Sequence, residues 1–188
     1  VRNSVELRRQ ILRAARAEFA AHGLAGARVD RIARAAKASK ERLYAHFGDK
    51  EALFREVAAA DGAELFRAVI LNPEAVPEFV GDLHDVAHRH PEHLRMLTWA
   101  RLEGIGFDHP PGADATVPDQ TFAAIRTAQD SGHVDPTWDP EELLVLLFGI
   151  AMAWTHWPGP RPALTGPATA HHRHSAVEAA ARIIASPR

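Results

Sequence analysis

The chain has 188 residues, 46% of them hydrophobic and 24% charged, with no cysteine. That length suits one or two small domains with a proper core, and the missing thiols exclude disulfides and thiolate metal sites while suiting a reducing cytoplasm. The net charge of −2 hides an asymmetry: residues 1–50 carry 12 Lys or Arg against 5 Asp or Glu, a net +7, and the rest of the chain carries the balancing −9.

The first helix is predicted over residues 4–21. Leu7, Ile11, Ala14, Ala15, Phe19 and His22 recur at three- and four-residue steps, with Arg9, Arg13, Arg16 and Glu18 on the other face. Arg2, Arg8 and Arg9 open it without the apolar core of a signal peptide. Gly23 is its expected C-cap. A short second helix over 29–35 is expected to bury Val29, Ile32 and Ala33, together with Ala36 beyond its end, and Lys37-Ala38 then turns the chain. Ser39 is well placed to cap a third helix over 40–47. There Leu43 and Phe47, four residues apart, are core anchors that leave the other positions facing outward. Gly48 ends it, and Asp49 caps a long fourth helix over 50–71 with a stripe of Leu53, Phe54, Val57, Ala60, Leu65, Ala68 and Val69.

Asn72-Pro73 and Pro77 break that pattern. Helices follow over 78–90 and 91–104, the latter with Pro91 in its first turn. A long loop over 104–118 precedes a helix over 119–131 that Gly132 caps. The eighth helix, 140–157, is apolar almost all round and so is expected to be buried within the fold or against another chain. Its apolar run, 143–154, is too short to span a bilayer, so a soluble cytoplasmic protein is expected. A Pro/Gly-rich linker over 158–167 leads to an Ala-rich helix over 171–185 with a stripe of Val177, Ala180, Ala181 and Ile184. Strand-like alternation and internal repeats are absent. The expected fold is all-α, with about nine helices.

Several local strings coincide between Ile11 and Leu53: Ala17-Glu18-Phe19-Ala20-Ala21-His22-Gly23, then Ile32-Ala33-x-Ala35-Ala36, Ser39, Leu43-Tyr44-x-His46-Phe47 and Lys50-Glu51-x-Leu53-Phe54. Together they resemble the helix-turn-helix of the tetracycline-repressor (TetR) family of bacterial transcription regulators. The resemblance implies a DNA-binding head over residues 1–49 and a ligand-binding, dimerising body over 50–188. It departs from the family at Lys37, where the turn usually holds Gly, and at Glu41-Arg42, often a Gly-Thr pair. Lys37 is therefore expected in an uncommon backbone conformation, at a cost of about 1 kcal/mol relative to Gly.

The resemblance implies phosphate contacts for Tyr44 and Lys50, and Lys50 also stands in a helix first turn, where free N–H groups attract anions. By residue type, Lys40 and Arg42 suit guanine O6/N7, Glu41 a cytosine amino group, and His46 a phosphate or base. Arg28 is a further phosphate candidate, and Ser39 stands beside them at the start of the helix. A basic head on an acidic body concentrates a positive field where double-stranded operator DNA would be met.

For the body, the resemblance implies a small-molecule effector and a homodimer formed by the last two helices. The apolar eighth helix and the Ala-rich ninth suit a four-helix bundle with a two-fold copy, and paired half-sites about 34 Å apart call for a dimer. Met96, Trp99, Phe107, Phe122, Phe148 and Met152 are candidate lining for a hydrophobic or aromatic effector. Two alternatives compete: a metal-responsive regulator using His84 and His88, one helical turn apart, and a helical adaptor that binds no DNA. No nucleophile–base order, phosphate-cradling Gly-rich loop or HExxH is present, so no enzyme and no cofactor are expected.

Overall fold

Helical periodicity carries through the chain. In the computed structural model, residues 2–105, 117–157 and 167–185 are described, and among them there are nine helices and no strand. They are α1 (Arg2–Gly26), α2 (Val29–Ala35), α3 (Lys40–Phe47), α4 (Lys50–Ala68), α5 (Val76–Arg89), α6 (Pro91–Leu102), α7 (Val117–Asp130), α8 (Pro140–His156) and α9 (Pro167–Ile184). None of these helices is long and apolar enough to cross a membrane.

The chain divides into two compact units. One joins Val1–Glu64 to His90–Pro111, and the other joins Leu65–Arg89 to Gly112–Arg188. The first unit is thus larger than the 1–49 head read from sequence. Its core explains why: Leu53, Phe54, Val57 and Ala58 of α4, with Met96 and Ala100 of α6, are buried with Ile11, Ala15 and Phe19 of α1 and with Ile32 and Leu43 of the α2–α3 segment. Phe19 and Phe54 meet edge to face, with ring centroids 5.0 Å apart.

Gly23 interrupts α1, as its spacing suggested, and a further short helical segment follows it. The helix kinks there (φ 64°, ψ −176°) and continues to Gly26. The ring of Trp99 on α6 lies against this glycine so closely that a Cβ would meet it at 2.9 Å, and Trp99 Nε1 donates to the Ala20 carbonyl at 3.4 Å. Asp61 lies on the apolar stripe of α4, four residues from both Val57 and Leu65, and is fully buried. Arg16 of α1 donates from Nε to Asp61 Oδ1 (2.5 Å) and from a terminal nitrogen to Glu64 (2.9 Å). Burial nevertheless pushes the Asp61 carboxyl up to about 7, against the pull of Arg16.

In the second unit α5 packs on both α8 and α9. Arg173 of α9 spans the α5 face, bonding Glu78, Asp82 and Asp85 at 3.0–3.3 Å, and lies over Gly81, where a Cβ would meet it at 2.7 Å. The all-round apolar α8 is not covered all round within the chain: Leu143, Leu144, Leu147, Ala151 and Met152 are buried, while Val145 and Leu146 are 67% and 40% exposed. The buried edge of α9 is Ala176, Ala180 and Ile184, so the stripe read through Val177 and Ala181 is rotated by about one residue.

Candidate nucleic-acid interface

The α2–α3 turn is closed by backbone bonds alone. Ala38 N–H donates to Ala33 O (2.9 Å) and Lys37 N–H to Arg34 O (3.2 Å), which is the Schellman arrangement. It requires a left-handed residue just past the helix, and Lys37 takes it with φ 52°. The same pattern closes α6 and α7, where Gly104 (φ 66°) and Gly132 (φ 77°) stand at the equivalent place. Lys37 therefore fills a glycine's position.

Ser39 then caps α3, its Oγ accepting from the Arg42 N–H at 3.3 Å. Leu43 (0% exposed) and Phe47 (6%) fix the rotation of α3 against the core. The other edge faces solvent: Ser39, Lys40, Glu41, Arg42 and Tyr44 are exposed, and His46 is half-buried. Lys40 forms an ion pair with Asp30 of α2 at 2.7 Å, and the proximity of Asp30 raises the Lys40 pKa. Glu41 is held below the usual carboxylate range by its own N–H and the Ser39 hydroxyl.

Around this edge sit further cations. Arg28 precedes α2, and its backbone N–H donates to Glu18 Oε1 (2.9 Å), leaving the exposed side chain outside that bond. Arg31 Nε donates to the same Glu18 oxygen at 2.8 Å. Asp49 caps α4 through the Ala52 N–H (2.7 Å), and half-buried Lys50 reaches back to the carbonyls of Ala25 and Ala27 at 3.5 and 3.4 Å. Arg8 of α1 lies over the Phe47 ring, 5.4 Å from its centroid. The eight residues singled out from sequence thus lie on or around one short helix, its turn and the start of α4.

The six candidate effector residues are divided. Met96 is fully buried and Trp99 partly buried in the first unit; Phe122, Phe148 and Met152 belong to the second; Phe107 lies outside the described residues. The His84 and His88 rings lie tilted against each other with centroids 4.0 Å apart, and Trp154 meets His84 edge-on while stacking on His172. Among the described residues they belong to no group of three donors close enough to share an ion. Sequence reasoning passed over Asp61 and Glu64, the α4 carboxylates beside His93. The legible signal was a carboxylate in the middle of the α4 apolar stripe.

Residues 11–57 match the family described as "Bacterial regulatory proteins, tetR family", and residues 75–182 match "Tetracyclin repressor-like, C-terminal domain". The chain belongs to the TetR family. It is a DNA-binding transcriptional regulator, in a family of regulators and not of enzymes, which sets the adaptor reading aside. This TetR regulator is 36% identical to the HTH-type transcriptional repressor SCO4008 of Streptomyces coelicolor, over 76% of its own length and 74% of that protein's. It is 43% identical to the repressor AcnR of Corynebacterium efficiens over 68 residues, 36% of each chain. The solved transcriptional regulator SCO4942 of Streptomyces coelicolor superposes with a TM-score of 0.76 at 35% identity, covering 96% of this chain and 99% of that one. A TetR-family regulator from Mesorhizobium loti, 24% identical with a TM-score of 0.65 over 97% and 98% of the two chains, shares the fold.

Proposed function

We propose that this TetR regulator is a homodimeric repressor that leaves its operator when a hydrophobic or aromatic small molecule binds its second unit. The observation that carries the DNA half is the solvent edge of α3: Lys40, Glu41, Arg42 and Tyr44 stand exposed on a helix whose other edge is locked by Leu43 and Phe47. Arg42 and Lys40 would read guanine, Glu41 a cytosine amino group, and His46 a phosphate or base. Tyr44, Lys50, Arg28 and Ser39 would position the head on the backbone. Lys50 already spends part of its donor capacity on two carbonyls, and an ammonium has three N–H groups, so a phosphate can be added. Repression is supported by the named roles of SCO4008 and AcnR.

The dimer is supported by exposed Val145 and Leu146 on α8, and the effector by Phe122, Phe148 and Met152 on the neighbouring helices α7 and α8. An effector that favours a conformer with weaker operator affinity releases the DNA by population shift. The test is operator selection from a random DNA pool, followed by binding measurements across a salt series. Tyr44→Ala is expected to weaken binding to all sequences alike, Lys50→Ala to do so with a salt slope shallower by about 1, and Arg42→Ala to relax discrimination at one base pair by roughly 1–3 kcal/mol. Unchanged operator affinity in both Tyr44→Ala and Lys50→Ala would overturn the assignment.

A further inference from the structure

His93, near the start of α6, is 7% exposed, yet its ring nitrogens face carboxylates at a distance too long for a hydrogen bond. Nδ1 lies 3.8 Å from Asp61 Oδ1 and Nε2 lies 3.8 Å from Glu92 Oε1. Two atoms each about 2.1 Å from one ion can be up to about 4.2 Å apart, so His93 Nδ1 and Asp61 Oδ1 are close enough to share a cation, while Nε2 faces Glu92 on the other side of the ring. Asp61 is fully buried; its Oδ1 takes the Arg16 bond, and its Oδ2 has no partner. Glu64, on the next turn of α4, completes a group: one donor atom from each of Asp61, Glu64 and His93 lies within 4.8 Å of the others. His90, Glu92 and His93 form a second group of the same size. All five residues belong to the first unit.

We propose that Asp61, Glu64 and, through Nδ1, His93 bind a divalent transition-metal ion. Imidazole mixed with carboxylate, without thiolate, suits zinc, cobalt, nickel, iron(II) or manganese better than calcium or magnesium, which prefer oxygen alone. Arg16 is the competing cation, since its guanidinium bridges Asp61 and Glu64. An incoming dication neutralises the same two carboxylates and displaces that guanidinium. The link from α1 to α4 is then exchanged for one from α4 to α6, within the unit that carries the α2–α3 segment. This site does not depend on the organic effector in the second unit.

The test uses full-length protein stripped of metal by a chelator. Cobalt(II) is titrated while its visible absorption is followed, and zinc(II) binding is measured by calorimetry. One ion per chain is expected at this site, with His93→Gln and the more exposed Glu64→Gln each lowering affinity roughly ten-fold or more. Arg16→Gln should tighten binding, because it removes the competing charge; a merely structural cluster would not show this sign. His88→Gln and His172→Gln, which alter the separate His84–His88–Trp154–His172 cluster, should leave the site unchanged. Equal affinity in the wild type, His93→Gln and Glu64→Gln, or weaker binding in Arg16→Gln, would overturn the proposal. Thermal melts of each variant without metal separate a lost ligand from a lost fold.

Discussion

Lys37 shows how one residue can keep a backbone motif at a steric cost. Its φ of 52° is forced by the Schellman closure of α2, and a Cβ in that conformation crowds the adjoining carbonyl. Lys37→Gly is expected to stabilise the protein by about 1 kcal/mol, read as a higher urea midpoint at unchanged slope. The strain was legible in the sequence because a turn motif and its offending residue are contiguous. Glu18 was not legible in the same way: its helical position placed it on the polar face, while its partners, the Arg28 N–H and Arg31 Nε, lie ten and thirteen residues onward. Burial raises the Glu18 pKa, but the Arg31 hydrogen bond, the Arg28 N–H and the charge of Arg31 outweigh it, so the folded value lies below the ordinary 4.5. Its contribution is therefore full above 4.5 and is lost as pH falls through the lowered folded value. Glu18→Gln should lower the urea midpoint at neutral pH and make little difference in acid below that folded value. An equal gap at both pH values would count against the linkage.

Pairs of helices meet through a few unusual contacts. At the α1–α6 crossing, Gly23 combines a positive φ with a Trp99 ring where a side chain would go. Gly23→Ala strains the backbone and overpacks the crossing at once, so a loss of about 2–4 kcal/mol is expected, seen as a lowered thermal midpoint. The cost should fall if Trp99 is made smaller in the same chain, since the two residues are in contact and their effects should not add. The existence and order of the helices were readable, because apolar repeats and caps such as Ser39 and Asp139 are local signals; Asp139 accepts from the N–H groups of Glu141 and Glu142. Helix rotation was less readable. In α9 the covered edge runs through Ala176, Ala180 and Ile184, and in an alanine-rich segment a one-residue shift changes the hydrophobic pattern very little while turning the face by about 100°.

Across the whole molecule, the feature that supports the proposed dimer is the open edge of α8. Val145 and Leu146 are exposed large apolar side chains on a helix whose opposite edge forms part of the second unit's core. In the proposed dimer, Val145→Asp places an unpaired carboxylate at the contact in both protomers, at a cost on the order of 3 kcal/mol for each. The variant should sediment as a monomer at micromolar concentration, keep its helical circular dichroism because the site is exposed in the chain, and bind an operator with two half-sites weakly. A wild-type protein that is itself monomeric under those conditions would defeat the dimer.

What could be read from the chain alone was the class of the molecule: all-helical, basic at one end, with a short helix, α3, whose core anchors and solvent edge are both spelled out within eight residues. Those features are written in residues one to four positions apart, where backbone geometry fixes which side chains share a face. The three-dimensional fold was needed for everything that joins distant segments: the extent of the first unit beyond residue 49, the Trp99 ring on Gly23, the division of the six aromatic and methionine candidates between two units, and the meeting of Arg16, Asp61 and His93. A buried carboxylate on an apolar stripe signals from sequence that something must neutralise it. The packing of α1 and α6 against α4 decided which charges were brought there, because side-chain partners across helices follow from rotation and crossing, not from spacing along one helix.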